Sequence, residues 1–426
     1  MITPKILTVG ILAATALIST ASAQTKIYIT GSTAFRAAAV TGIGGANGNT
    51  PGGTGALAGS FTVASDNSDI TSANVVTYLG GNIGGTAVTI KLSWSGSTGG
   101  YQTVSGSLPV RFLADGATGT ANPDIRVTGT AETATPDIGF GDSQQSSTPF
   151  KSSPYVTLTT TPVGIVAFIF AGSNGFPTGL SMTKKAFEYN FSGLGCVPLS
   201  TYNGNGTDAL AGARFVYAWG RDPDSGTRTD TLAEVGYGVG TAVHQNKPTI
   251  SGNNIIAQAD YPATTVNGIL YSGPNMGESS GSTLRGFLTK TLTAGAYLNG
   301  ETGPSYGVTY VGIADFLKTY TGTLGELTGS YAGSLPSVPL AWNGVSFSQA
   351  GIMNGSYTFW NPQYTTRRAD LGNGSTGGPV VKLSFYTNLS NAVIAIPTSG
   401  LSGNVKLSDM QVQRNGDGGP ITSLNF

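Results

Sequence analysis

The stretch RFVYAWGRDPDSGTR, residues 214–228, carries the most structural information in the chain. Residues 214–219, Arg214 followed by five apolar residues, have the length and composition of a strand. Gly, Pro and Asp then mark a turn, and Ser225, Gly226 and Thr227 open a helix predicted to run through 235. A helix start leaves backbone N–H groups unpaired and carries partial positive charge, so it is a natural seat for an oxyanion. Arg221, a few residues ahead, adds a guanidinium able to grip such an ion through two parallel hydrogen bonds. The same turn also reads as a surface loop in which Asp222 and Asp224 neutralise Arg221 and Arg228.

Working outward, the pattern recurs. Gly-Ser-Thr occurs at 31–33, 96–98 and 281–283, the first two after strand-like runs at 26–30 and 87–94. Short helices are predicted at 34–40, 180–191 and the second half of 277–288, and further strands near 136–142 and 307–313. Residues 162–171 are continuously apolar, as befits a strand buried on both faces, and are a candidate crossing between lobes. Strands alternating with short helices indicate an α/β protein. Taken singly, each Gly-Ser-Thr turn is an ordinary helix cap. Residues 42–60 are so rich in glycine that they read as a loop, the least ordered part expected.

Composition narrows the function. Lys and Arg number 21 against 21 Asp and Glu, with 64 glycines, one histidine and one cysteine. No basic stripe for nucleic acid and no basic amphipathic helix for a membrane surface is visible. A lone His244 excludes histidine-rich metal sites, and no cofactor is implied. Cys196 reads as a small buried apolar residue. Residues 1–23, with Lys5, an apolar run at 6–18 and Ala21-Ser22-Ala23, read as a secretory signal peptide, which puts the mature protein in the periplasm or the medium.

The segment Arg221-x-x-x-Ser225-Gly226-Thr227 resembles the phosphate-binding segment of the periplasmic phosphate-binding proteins of the high-affinity phosphate transporter. Gly31-Ser32-Thr33, Ser97-Thr98-Gly99-Gly100, Gly141-Asp142-Ser143, the 187–193 helix end, the 307–312 strand and Asn354-Gly355-Ser356-Tyr357 are similar, in order, to further stretches of that family. The resemblance implies a two-lobed type II periplasmic binding fold that closes on its ligand. Lobe I would comprise 24–168 and a return segment 336–426, with 169–335 as lobe II. Carried over by position, Ser32 and Thr33, Ser97, Thr98 and Asp142 would face the ligand from one lobe, and Arg221, Ser225, Gly226 and Thr227 from the other. Proline at 223 departs from the family, which leaves Asp222 or Asp224 to orient Arg221. Gly-rich insertions at 42–60 and 115–135 lengthen the chain.

The resemblance further implies a monomeric, non-enzymatic receptor that delivers phosphate or a related tetrahedral oxyanion to an ABC transporter permease. Asp142 is the residue that would choose the ligand. A dehydrated carboxylate repels an oxyanion unless that ion brings a proton, which hydrogen phosphate does and sulfate does not. Two rivals stand beside this reading. Gly277-Glu278-Ser279-Ser280-Gly281 fits a G-x-S-x-G nucleophile elbow, but no clean strand precedes it and His244 lies upstream. An extracellular Gly/Ser/Thr-rich surface or adhesion protein, its aromatic rings stacking on sugars, suits the composition too.

Overall fold

The computed structural model describes residues 24–51, 53–117, 131–204, 214–266, 269–293, 304–374 and 378–424. The predicted leader, and residues 118–130 of the second insertion, lie outside them. The elements that build the site run, in chain order, β1 Thr25–Gly31, α1 Arg36–Gly44, β2 Val75–Ile83, β3 Thr86–Ser93, α2 Ser97–Ser105, β4 Ile138–Gly141 and β5 Thr159–Gly172. There follow β6 Phe215–Ala218, α3 Gly226–Glu234, α4 Gly281–Leu288, β7 Tyr306–Gly312, α5 Ile313–Leu317, β8 Trp360–Arg367 and α6 Gly378–Ala395.

These strands form one sheet in the order β2-β3-β1-β4-β8-β5-β7-β6. β1 is parallel to both β3 and β4, and β6 is parallel to β7. At the junction the pairs β4–β8, β8–β5 and β5–β7 are antiparallel. Parallel pairs need crossovers, and α2 supplies one by returning the chain across the end of β1.

β5 belongs to both halves of the molecule. Thr159 to Ala167 pair with Arg367 to Trp360 of β8, and Phe168 to Gly172 then pair with Gly312 to Val308 of β7. From Val163 onward every residue of β5 is buried, which is why its sequence shows no alternation. Tyr357, close before β8, donates its hydroxyl to the Phe168 carbonyl at 2.8 Å, where β5 passes from one partner to the other. The result is a two-lobed α/β molecule with an apolar core continuous through the crossing, from Ile27, Ile90 and Phe140 to Val216, Trp219 and Tyr310.

Three expectations need correction. Residues 42–60 are not a loose loop: α1 continues through Gly44, a 3-10 turn follows at Ala46–Gly48, and Leu57 is buried against Gly81. The predicted 180–191 helix is confined to Lys184–Asn190, because Ser181 and Met182 pair as strand with Ala341 and Trp342. Cys196 is only partly buried, in a short edge strand beside β6. The long α6, which packs on α1 and β5, had no counterpart in the sequence reading.

Candidate functional site

Four chain turns converge where the two lobes meet. Asp142 follows β4, Ser32 follows β1, Ser97 opens α2 and Thr227 lies in the first turn of α3. All four are buried. Ser32 Oγ donates to Asp142 Oδ2 at 3.1 Å, Thr227 Oγ1 donates to the same oxygen at 3.4 Å, and Ser97 Oγ donates to Oδ1. The Asp142 N–H in turn donates to Ser97 Oγ at 3.0 Å. A single carboxylate thus gathers hydroxyls from both lobes, and burial pushes its carboxyl above the ordinary carboxylate range. The Ser97 and Ser32 hydrogen bonds and the charge of Arg221 oppose that rise.

The lobes touch through backbone as well. The N–H groups of Thr98 and Gly99 donate to the Asp224 carbonyl at 2.9 and 3.2 Å, and Thr98 Oγ1 lies 3.2 Å from Thr229 Oγ1. Such proximity requires glycine. A Cβ on Gly226 would stand 1.7 Å from Asp142 Oδ1, and one on Gly96, at φ +91°, would stand 2.3 Å from the Asp224 carbonyl oxygen. Ser225 caps α3, its Oγ accepting the Arg228 N–H at 3.2 Å. Thr231 and Thr229 turn their hydroxyls back onto the carbonyls of Thr227 and Ser225, which lets this hydroxyl-rich helix bury its first turns.

The 221–228 turn is not a surface loop. Arg221, Asp222 and Arg228 are all buried. The Arg221 guanidinium is held by backbone carbonyls. Its Nε donates to the Glu278 carbonyl at 3.0 Å and its Nη2 to the Ser279 carbonyl at 2.8 Å. Tyr310 Oη accepts the Arg221 N–H, and Gln245 Nε2 donates to the Arg221 carbonyl at 3.1 Å. Arg228 Nη1 bridges the carbonyls of Arg221 and Asn275. The segment read as a nucleophile elbow therefore cradles an arginine, while Ser280 caps α4 by accepting the Thr283 N–H. His244 lies between the Gly193 carbonyl and Asp260.

Of the residues singled out, Ser32, Ser97, Thr227 and Asp142 are joined directly, and Thr98, Ser225 and Gly226 adjoin them. Thr33 is buried but makes no hydrogen bond to Asp142 among the described residues. Arg221 acts on Asp142 through its charge.

Sequence reasoning missed four participants. Arg36, the first residue of α1, donates to the Thr71 carbonyl and to Asn74 Oδ1. Its Nη2 lies 3.6 Å from Asp315 Oδ1, and Arg285 Nη1 lies 3.5 Å from the same oxygen. Asp230, on α3, is buried, and its Oδ2 has no hydrogen-bond partner among the described residues. None of the four stands in a recognisable motif.

No known protein family and no curated protein matches the sequence. Among solved structures, the chain is similar to a protein of Clostridium perfringens assigned as a phosphate ABC transporter substrate-binding protein and solved with bound phosphate. Identity there is 10% and the TM-score 0.45, over 90% of this chain and 99% of that one. An ABC-type phosphate transport receptor from Vibrio cholerae matches at 12% identity and TM-score 0.37, over 87% and 96% of the two chains. A possible phosphate-binding protein from Planctomyces limnophilus matches at 13% and 0.36, over 87% and 99%. These are likenesses of chain path alone. Among the described residues no helix is long and apolar enough to cross a membrane.

Proposed function

We propose that this chain is an exported solute-binding protein that encloses a tetrahedral oxyanion, phosphate above all, between lobes bounded near 168 and 335, for delivery to an ABC-type permease. One observation carries the reading: hydroxyls from both lobes, on Ser32, Ser97 and Thr227, all donate to the buried Asp142 carboxylate. In this closed arrangement the carboxylate takes the acceptor role that the ligand's oxygens would assume once the lobes part. Hydrogen phosphate can replace it as acceptor and still give Asp142 a proton. A fully ionised oxyanion cannot, and a hydrogen bond left unmade in such a site discriminates by on the order of 10⁴.

Titration calorimetry on residues 24–426 tests this. Phosphate should bind at micromolar concentration or below, sulfate far more weakly, and Arg221→Ala should lower phosphate affinity at least about tenfold, the loss of one charge-assisted contact. Asp142→Asn should narrow the gap between the two anions. The gap should also narrow with acid, because Asp142, once protonated below its raised value, becomes a donor that sulfate can accept. Absence of heat with any tetrahedral anion would sink the reading. The adhesive alternative gains nothing from the tryptophans, since Trp94, Trp219, Trp342 and Trp360 are all buried and offer no ring to a sugar.

A further inference from the structure

The hairpin formed by Val412–Arg414 and Ile421–Ser423 touches both halves of the molecule. Its base rests on residues 353–355: the Gln411 N–H donates to the Met353 carbonyl at 2.9 Å, and Val412 and Ile421 lie against Gly355. Arg414 is the firm anchor. Its Nη1 donates to the Trp360 carbonyl at 2.9 Å, its Nη2 to the Thr358 carbonyl at 2.5 Å, and the guanidinium lies 4.9 Å from the centre of the Trp360 ring. Nη2 also pairs with Glu234 Oε2 at 2.8 Å, and both side chains are buried. Glu234 ends α3, so the hairpin is bound to the helix whose first turn meets Asp142.

The tip of the hairpin reaches the opposite half. Asp417 Oδ2 accepts the Gln144 N–H at 2.8 Å, in the turn that carries Asp142, and Oδ1 accepts Asn361 Nδ2 at 3.1 Å. Gly418, at φ +62°, keeps the tip against α3: a Cβ there would stand 2.4 Å from the Ala233 carbonyl oxygen. Gln144 follows β4 on one side of the β5 crossing, and α3 follows β6 on the other. The halves therefore cannot separate at Asp142 while the tip holds both. Its two attachments are unequal. Parting Arg414 from Glu234 strands two buried charges, the costliest way to break an ion pair. Parting Asp417 from Gln144 gives up a backbone N–H and returns a carboxylate to water. Lys318 and Asp69 also join the halves, at 2.9 Å, but that pair is partly exposed and screened by solvent.

We propose that residues 412–423 form a strap over the two halves, hinged at Arg414 and clasped at Asp417, and that release of Gln144 by Asp417 is the step that lets the halves part. The strap stays on α3; what it lets go is the turn at 142–147. The inference concerns opening, whatever ligand the halves enclose, so its test uses none.

Amide hydrogen exchange and small-angle scattering on ligand-free residues 24–426 provide it, with thermal midpoints to show that each variant is folded. The variants are Asp417→Ala and Asp417→Asn, the second of which keeps one acceptor oxygen for the Gln144 N–H. In Asp417→Ala the amides of 142–147 and of the first turn of α3 should exchange at least about fivefold faster, the low end for a buried N–H deprived of its acceptor. The radius of gyration should rise, while the amides of 412–414 and 421–423 keep their protection. Asp417→Asn should recover most of both effects. Gly418→Ala, which forces the tip off Ala233, should open the molecule too, and it decides the matter if Asp417→Ala does not fold. Faster exchange confined to the hairpin, or faster exchange everywhere with a lowered midpoint, each with unchanged scattering, overturns the strap. Neither result touches the oxyanion reading, and a parent protein that fails to bind phosphate leaves the strap standing.

Discussion

Gly226 sets the geometry of the site at the scale of one residue. Inside a helix, alanine ordinarily outperforms glycine by about 1 kcal/mol. Here the new methyl would stand 1.7 Å from Asp142 Oδ1, so Gly226→Ala should reverse the usual sign and destabilise the closed protein by about 1–3 kcal/mol, the range for overpacking a filled site. Urea unfolding of the ligand-free protein measures it, and a stabilised variant would show that the carboxylate and α3 are not in contact. The hydroxyls and the aspartate were legible because Gly-Ser-Thr and Gly-Asp-Ser each follow a recognisable strand. Arg36 was not: one arginine among alanines in 36–39 has no motif, and its partner Asp315 is far away in sequence. The anchoring of Arg221 was illegible for a different reason, since its acceptors are backbone carbonyls of residues 278–279, which any side chain at those positions would provide.

At the scale of elements, α3 is tied to the C-terminal hairpin through buried acids. Val412–Arg414 and Ile421–Ser423 pair, and the turn between them brings Asp417 to the Gln144 N–H at 2.8 Å. Asn361 Nδ2, on β8, donates both to Asp230 and to Asp417. Burial first, then the charges of Asp142 and Asp417, push the Asp230 carboxyl well above the usual range, and burial raises Asp417 likewise. A carboxyl raised by folding favours the folded state below its unfolded value, and that contribution disappears as pH rises through the folded value. Asp230→Asn removes the charge and keeps the shape. The variant should therefore exceed its parent in stability at pH 8, and the difference should shrink as pH falls toward the ordinary carboxylate range. A difference that ignores pH would mean that Asp230 is not held in this environment. In sequence Asp230 passes for the polar face of a surface helix, because nothing local announces that a hairpin from beyond residue 411 will cover it.

At the scale of the whole molecule, the crossing at Phe168 decides how the two halves are held. Tyr357→Phe leaves the Phe168 carbonyl without that donor, and a buried group stripped of its partner costs about 1–3 kcal/mol. Denaturation should show that loss, and because the bond lies at the partner change of β5, small-angle scattering should find the ligand-free variant more extended than its parent. Unchanged scattering would place the joint elsewhere. The alternation of strands and helices, and the unbroken apolar run of β5, made the fold class readable from sequence. The sheet order was not, since it depends on pairings between segments as distant as β4 and β8.

That order also bears on how the chain is made. β8, residues 360–367, lies in the middle of the sheet, between β4 and β5, which precede it by some two hundred residues. Until β8 emerges from the ribosome, β4 and that stretch of β5 each present an unpaired edge, and the sheet cannot be completed. If the chain is exported unfolded, as the proposed function requires, it gains from such a delay, because a late-made segment is the one that permits folding to finish. Fragments ending before 360 should accordingly stay protease-sensitive, whereas the chain through 424 resists.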